Sequence, residues 1–145
     1  MRIIKLSSSE FTDLERVSSF FDHDLRAREP EGKFRFPEGW IAEDGLKPGE
    51  RVLFSYDTVI CYAGWSLTGR SLNQDEDRAD YPYFFKLDMA TLQTAAIPLQ
   101  QLEDLLQSKG LHDGRLVRSQ GWPIIEDRDE VEVLINALLD QAPGA

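Results

Sequence analysis

At 145 residues, 41% of them apolar and 29% charged, the chain has the size and composition of one folded domain, 1–145, long enough to bury a sizeable core without staples, and not those of a disordered segment. Its formal net charge of −10 repels a phosphate backbone and counts against non-specific nucleic-acid binding, though a local basic face is compatible with it because salt screens exposed charges beyond roughly 10 Å. The lone Cys61 excludes an intrachain disulfide and fits a reducing compartment. With no apolar run of the ~18 residues a membrane span needs, and an apolar start too short for a signal peptide, the expectation is a cytoplasmic protein that does not engage membranes.

In chain order, Arg2 to Leu6 reads as the first strand. Ser7 as N-cap and Glu10 three residues on form a capping box, with Leu6 and Phe11 as its hydrophobic staple. That grammar predicts a helix whose buried face carries Phe11, Leu14, Val17 and Phe21. Asp22 to Gly39 is charged and punctuated by Pro30, Gly32 and Pro37, so it reads as loop with a short strand at Lys33 to Phe36. Leu46 to Glu50 is a turn in which Pro48 fixes φ and Gly49 allows a positive φ. Strands Arg51 to Tyr56 and Val59 to Leu67 follow, joined at Asp57-Thr58. Their apolar runs are nearly continuous where a strand with one wet face would alternate, so both faces should be covered.

Ser71 to Asp80 reads as a polar, acidic loop, Tyr81 to Leu87 as a strand and Gln93 to Ile97 as another. Pro98 suits the first position of a helix striped by Leu99, Leu102, Leu105 and Leu106 and ended by Lys109-Gly110. A last helix is predicted from Asp127, with Val131, Leu134, Ile135 and Leu138 on one face. Gln141 to Ala145 reads as a frayed tail. Residues 46–70 carry Lys47, Arg51 and Arg70 against Glu50 and Asp57, a net of +1, so the acidity lies elsewhere.

The residue types that carry catalysis are sparse. His23, His112 and Cys61 are too few and too scattered for a zinc site. Asn73, Asp75 and Asp77 open like a calcium loop, but Arg78 stands where glycine is required and Phe84 where the closing glutamate belongs. Cys61 lies mid-strand between Ile60 and Tyr62 and reads as core. The nuclease-like Glu31-Gly32-Lys33 is the kind of tripeptide that any charged chain contains by chance. Gly45, Gly49, Gly64 and Gly69 form no phosphate loop. Neither a catalytic residue, a metal nor a cofactor is expected. The aromatic residues carry more information, since a flat ring offers a stacking face worth ~1–3 kcal/mol per base. Of Trp40, Trp65 and Trp122, the first and last sit beside Gly or Pro in loops, where binding residues tend to lie.

Trp40, then Lys47-Pro48-Gly49-Glu50-Arg51-Val52-Leu53-Phe54-Ser55-Tyr56, then Val59-Ile60-Cys61-Tyr62-Ala63-Gly64-Trp65, resembles the opening of EVE-type domains of the PUA-like superfamily. Tyr81-Pro82-Tyr83-Phe84-Phe85-Lys86-Leu87 is similar to a later strand of that family. Ile97-Pro98-Leu99 and Arg118-Ser119-Gln120-Gly121-Trp122-Pro123-Ile124-Ile125 look like its later helix and the loop before its last element. The resemblance touches about half the chain. It implies an α+β fold, a small PUA-like β-barrel of mostly antiparallel strands flanked by about three helices. It also implies a non-catalytic reader of a modified or flipped nucleobase in DNA or RNA. By position, the pocket would take Trp40, Ser55, Tyr56 and Trp65, with Gln120 and Trp122 on a facing loop, while Arg51, Arg70, Arg115 and Arg118 would meet phosphates. Two other functions compete: a protein-interaction or regulatory module that uses the acidic face against a basic partner, and, behind it, a small nuclease.

Overall fold

The two apolar strands at the centre of the sequence form the middle of a six-stranded sheet. The computed structural model describes residues 1–27, 31–37, 39–119 and 121–141. Its strands are β1 (Arg2–Lys5), β2 (Lys33–Phe36), β3 (Arg51–Tyr56), β4 (Val59–Ser66), β5 (Ser71–Leu72) and β6 (Tyr83–Pro98). Their order is β1-β3-β4-β6-β2, with β5 also on β6. β1 runs parallel to β3 and the other pairings are antiparallel. The helices are α1 (Leu14–Ser19), α2 (Leu25–Ala27), α3 (Leu99–Ser108) and α4 (Asp129–Asp140), and a π-helical turn, Phe20–Asp24, joins the first two. The fold is α+β, a curled mixed sheet of half-barrel form with helices packed outside it.

Local chemistry explains the hairpin. Asp57 and Thr58 take φ of 49° and 65°, the doubly left-handed pair of a two-residue turn whose twist matches its strands. The Thr58 carbonyl also accepts the Leu99 N–H (2.9 Å), satisfying one of the orphan donors at the start of α3. Gly49 has a φ of 76°, as the Pro-Gly turn requires, and Gly110, at 66°, stops α3.

Both faces of the sheet are covered. One core packs Val52, Phe54 and Tyr62 with Phe21, Phe34 and Phe85. The other packs Leu53, Ile60 and Ala63 with Leu102 of α3 and Ile135 of α4. Arg51 pairs across from Trp65, so alternation puts both on the α4 side. Its guanidinium lies 4.4 Å from the Trp65 ring centre, donates to Glu132 (2.9 Å) and donates to Asn136 (2.8 Å).

Several boundaries differ from the sequence reading. Ser7 does not cap a helix: its hydroxyl accepts from the Ser9 N–H and its carbonyl closes a turn with Phe11, while the helix starts seven residues later behind Asp13, whose carboxylate accepts from the Arg16 N–H (2.8 Å). Leu14, placed on the buried face from sequence, is exposed. The loop expected at Ser71 to Asp80 contains β5 and a 3₁₀ turn, Glu76–Ala79. The strands expected at Tyr81 to Leu87 and Gln93 to Ile97 are one strand. The register jumps from Ala63↔Gln93 to Trp65↔Asp88, and the Thr91 hydroxyl bridges the bulge by accepting from the Trp65 N–H and donating to the Asp88 carbonyl. β4 ends at Ser66, and α4 begins at Asp129 behind Arg128, not at Asp127.

Arg51 is the buried charge on which the sheet–α4 contact turns. Burial pushes the Glu132 carboxyl up, and Arg51 holds it back down. Arg51→Ala should cost about 3 kcal/mol in urea unfolding near pH 7, because it strands a half-buried carboxylate. An acid whose folded-state pKa is raised favours folding progressively as pH falls, and losing Arg51 enlarges the rise. The variant's deficit should therefore narrow from about pH 7 to about pH 5, and a deficit constant over that range would contradict this account.

Candidate functional site

A cleft of about 510 Å³ opens where the curled sheet fails to close. β2 forms one wall through Phe34, Phe36 and Pro37. The chain leaving β1, Leu6 to Phe11, forms the opposite wall, and Trp40 and Trp122 close one end. The two tryptophan rings are stacked, with centroids 5.4 Å apart and planes 22° apart, and Trp122 packs its other surroundings against Phe36 (5.8 Å) and Phe34 (6.3 Å). Trp40 is 39% exposed, so the outer ring of the stack faces water. Tyr81 and Glu10 also line the cleft, and the Tyr81 hydroxyl donates to Glu10 (3.1 Å).

The loops bearing the tryptophans are held by two cations of β1. Arg2 donates to the Trp122 carbonyl (3.1 Å) and to the Gly45 carbonyl (2.6 Å), tying both loops to one side chain. Lys5 donates to the Val117 and Ser119 carbonyls and to the Ser119 hydroxyl, and its own carbonyl accepts the Trp122 indole N–H (3.3 Å). Burial lowers the pKa of both, most of all through lost hydration, with Glu50 opposing for Arg2 and Glu103 for Lys5. The loop that carries Trp40 is anchored by buried Ile41 and Leu46.

Charge along the cleft is internally balanced. Asp75 accepts from Lys33 (2.8 Å) and from Arg35 (2.6 Å), and Arg35 Nε lies 3.2 Å from Asp77. The Asn73 amide donates to Asp77 (2.9 Å) and to the Tyr81 carbonyl (2.7 Å). The residues whose spacing resembles a calcium loop thus spend their carboxylates on β2. No group of three or more His, Cys, Asp or Glu side chains placed to hold a metal occurs among the described residues. Glu31 of the nuclease-like tripeptide lies 3.8 Å from Arg26 and Lys33 is bound to Asp75.

Of the residues assigned from sequence, the structure brings Trp40 and Trp122 together. Gln120 lies outside the described residues. Tyr56 sits behind the cleft and donates to the Phe11 carbonyl (2.7 Å), and Ser55 is buried, its carbonyl accepting from the Leu6 N–H. Trp65 lies on the opposite face, under Arg51. Arg51 is committed to Glu132 and Asn136, and Arg70 lies over the Tyr83 ring (4.1 Å) and donates to the Ile41 carbonyl. Arg115 and Arg118 are exposed. Sequence reasoning gave no site role to Arg2, Lys5, Phe11, Phe34 or Phe36, and noted Tyr81 only as one aromatic residue among several. The alternation in Lys33-Phe34-Arg35-Phe36 marked two rings on one face, but nothing local said that the face would meet Trp122.

Cys61 is buried, and loss of hydration pushes its thiol up to about 11. It should resist maleimide near pH 7 in the folded protein and react fully in denaturant; rapid labelling of the native state would contradict its assignment to the core. Asp75, hydrogen-bonded first by Lys33 and then by Arg35, is held down at about 2. Its contribution to stability is present above the unfolded carboxyl's pKa and is lost as pH falls through about 2. A carboxyl titration followed by NMR should place its midpoint there, and Lys33→Ala should move it upward. Comparison of the chain with protein-family models, curated proteins and solved structures yields no match.

Proposed function

We propose that the chain is a non-catalytic, PUA-like reader module of the EVE type that holds a modified or flipped nucleobase in the cleft between β2 and the Trp40–Trp122 stack. The observation that carries this reading is the stack itself: two stacked rings lining a cleft floored by phenylalanines and rimmed by polar groups. An extruded base needs aromatic faces to replace its lost stacking and hydrogen-bonding groups for its edge. A base adds as a third ring on Trp40 or takes Trp40's place against Trp122. Of the cleft's cations, Lys33 and Arg35 are ion-paired with Asp75 and Asp77 and Lys5 is held by carbonyls and the Ser119 hydroxyl, so phosphate contact falls to exposed Arg115 and Arg118 on the chain leading to Trp122.

A second reading rests on a different feature. α4 shows Val133, 69% exposed, in an apolar groove with Leu111, Leu134 and Ala137, flanked by Asp129 and Glu130 against the single cation Lys109. That groove supports a protein-interaction module with a basic partner, in which case Val133→Glu would abolish partner capture without touching the tryptophans.

A panel of single- and double-stranded oligonucleotides, with and without modified cytosine or adenine, should quench tryptophan fluorescence for at least one member. Trp122→Ala should weaken that binding by about tenfold to a hundredfold. With two arginines on phosphate, the logarithm of affinity for a single strand should fall against log salt with a slope of about −1.4. Failure of every oligonucleotide to bind at low salt would remove this reading.

A further inference from the structure

The outer edge of β2 runs along the cleft. On β6, the Pro82 carbonyl accepts from the Asn73 N–H (2.8 Å), the Lys86 carbonyl accepts from the Leu67 N–H (2.7 Å) and the Lys86 N–H donates to the Thr68 hydroxyl (2.9 Å). The even-numbered residues of this stretch therefore bond away from β2. The Leu87 N–H donates to the Gly32 carbonyl (2.8 Å), which puts the odd-numbered residues on the β2 side. Hydrogen-bonded and non-bonded pairs alternate in an antiparallel ladder. With Phe34 opposite Phe85 and Phe36 opposite Tyr83, those two phenylalanines exchange bonds with β6. Lys33 and Arg35, opposite Lys86 and Phe84, turn their main-chain N–H and C=O groups outward.

Among the described residues no protein group pairs with these outward groups. Lys33 and Arg35 border both the main cleft and the smaller cavity of about 230 Å³ beside it; Lys33 is buried and Arg35 is partly exposed, so the edge opens at Arg35. Their side chains do not cover it, because Asp75 and Asp77 draw them aside. Beyond them Pro37 brings no N–H, which makes Arg35 the last residue of the edge with a donor beside an acceptor.

A donor next to an acceptor is what a base presents on its pairing edge: a ring nitrogen beside an amino group in adenine and cytosine, a carbonyl beside a ring N–H in guanine and uracil. We propose that the Arg35 main chain, on the free edge of β2, reads the pairing edge of the bound base while the tryptophans hold its face. This assignment rests on the base-reading function above and names the groups that would give it specificity. A main-chain reader has a distinctive consequence: replacing the Arg35 side chain leaves recognition intact, and removing the Arg35 main-chain donor does not.

The test uses the full chain and single-stranded oligonucleotides carrying each base with its edge free or blocked by a neutral methyl group: N6,N6-dimethyladenine, N4,N4-dimethylcytosine, 1-methylguanine or 3-methyluracil. For the base that binds, the blocked form should bind at least about tenfold more weakly, the cost of one or two unmade hydrogen bonds in a closed site. Arg35→Ala, which keeps the N–H, should bind within about twofold of the parent, and Arg35→Pro, which removes it at a position an edge strand tolerates, should lose about tenfold relative to Arg35→Ala. Equal binding of blocked and free bases, or equal binding by the two variants, overturns the edge assignment and leaves base reading standing. Quenching by no oligonucleotide overturns both. Circular dichroism establishes that Arg35→Pro is folded, and if it is not, the blocked bases alone decide.

Discussion

β3 and β4 have no wet face. Phe54 and Tyr62 are buried on one side, Leu53 and Ile60 on the other, and the sheet must be clad twice, by the α1–α2 region with β2 and by α3 with α4. That constraint sets the terms for every polar group on the hairpin. Arg51 is the one cation that the two strands carry, and it sits where a charge is costly unless paired. It is satisfied by stacking on Trp65 and by Glu132 and Asn136, so the contact between sheet and α4 is specified by one guanidinium in addition to shape. A tryptophan and an arginine that could have served a ligand are thereby used for the fold.

A sheet of this length curls, and a curled sheet either closes or leaves a seam. β1's outer edge is taken by the last loop, through Ile3 N–H to the Pro123 carbonyl and Ile125 N–H to the Met1 carbonyl. Among the described residues β2's outer edge has no such partner, and the cleft borders it. Exposed strand edges are liabilities that proteins blunt with charge, short length or proline. β2 has four residues, two cations that are ion-paired to Asp75 and Asp77, and Pro37 immediately after it. The same features that discourage strand addition leave a short row of main-chain donors and acceptors beside an aromatic floor.

The electrostatics of the cleft differ from those of the whole chain. The molecule carries −10, yet Lys33 and Arg35 are neutralised by Asp75 and Asp77, and Arg2 and Lys5 spend their protons on main-chain carbonyls. Long-range attraction to a polyanion is therefore weak, and affinity for the proposed base would have to come from ring faces, main-chain dipoles and exclusion of water. Arg2 and Lys5 matter for another reason. Reaching from one strand into two loops that are distant in sequence, they fix the separation of Trp40 and Trp122.

Much of the scaffold was legible locally. Continuous apolar runs marked β3 and β4 as doubly covered, Pro48-Gly49 and Asp57-Thr58 marked the reversals, and Lys109-Gly110 marked the end of α3, because each depends on the φ/ψ preferences or periodicity of a few adjacent residues. The capping box at Ser7 failed for the same reason: its signal is local, and packing of Phe11 and Tyr56 held that segment in a turn instead. One strand was read as two because the bulge at Asp88 to Leu92 is bridged by Thr91 to β4, a contact that sequence spacing does not encode. At the site, the sequence by itself singled out Trp40 and Trp122 by their Gly and Pro neighbours. Only the tertiary structure decided that they stack on each other, that Trp65 and Arg51 turn to the opposite face, and that Phe34 and Phe36 floor the cleft. Those outcomes follow from strand order and register, which bring residues more than eighty positions apart into contact, as with Trp40 and Trp122 or Arg51 and Glu132.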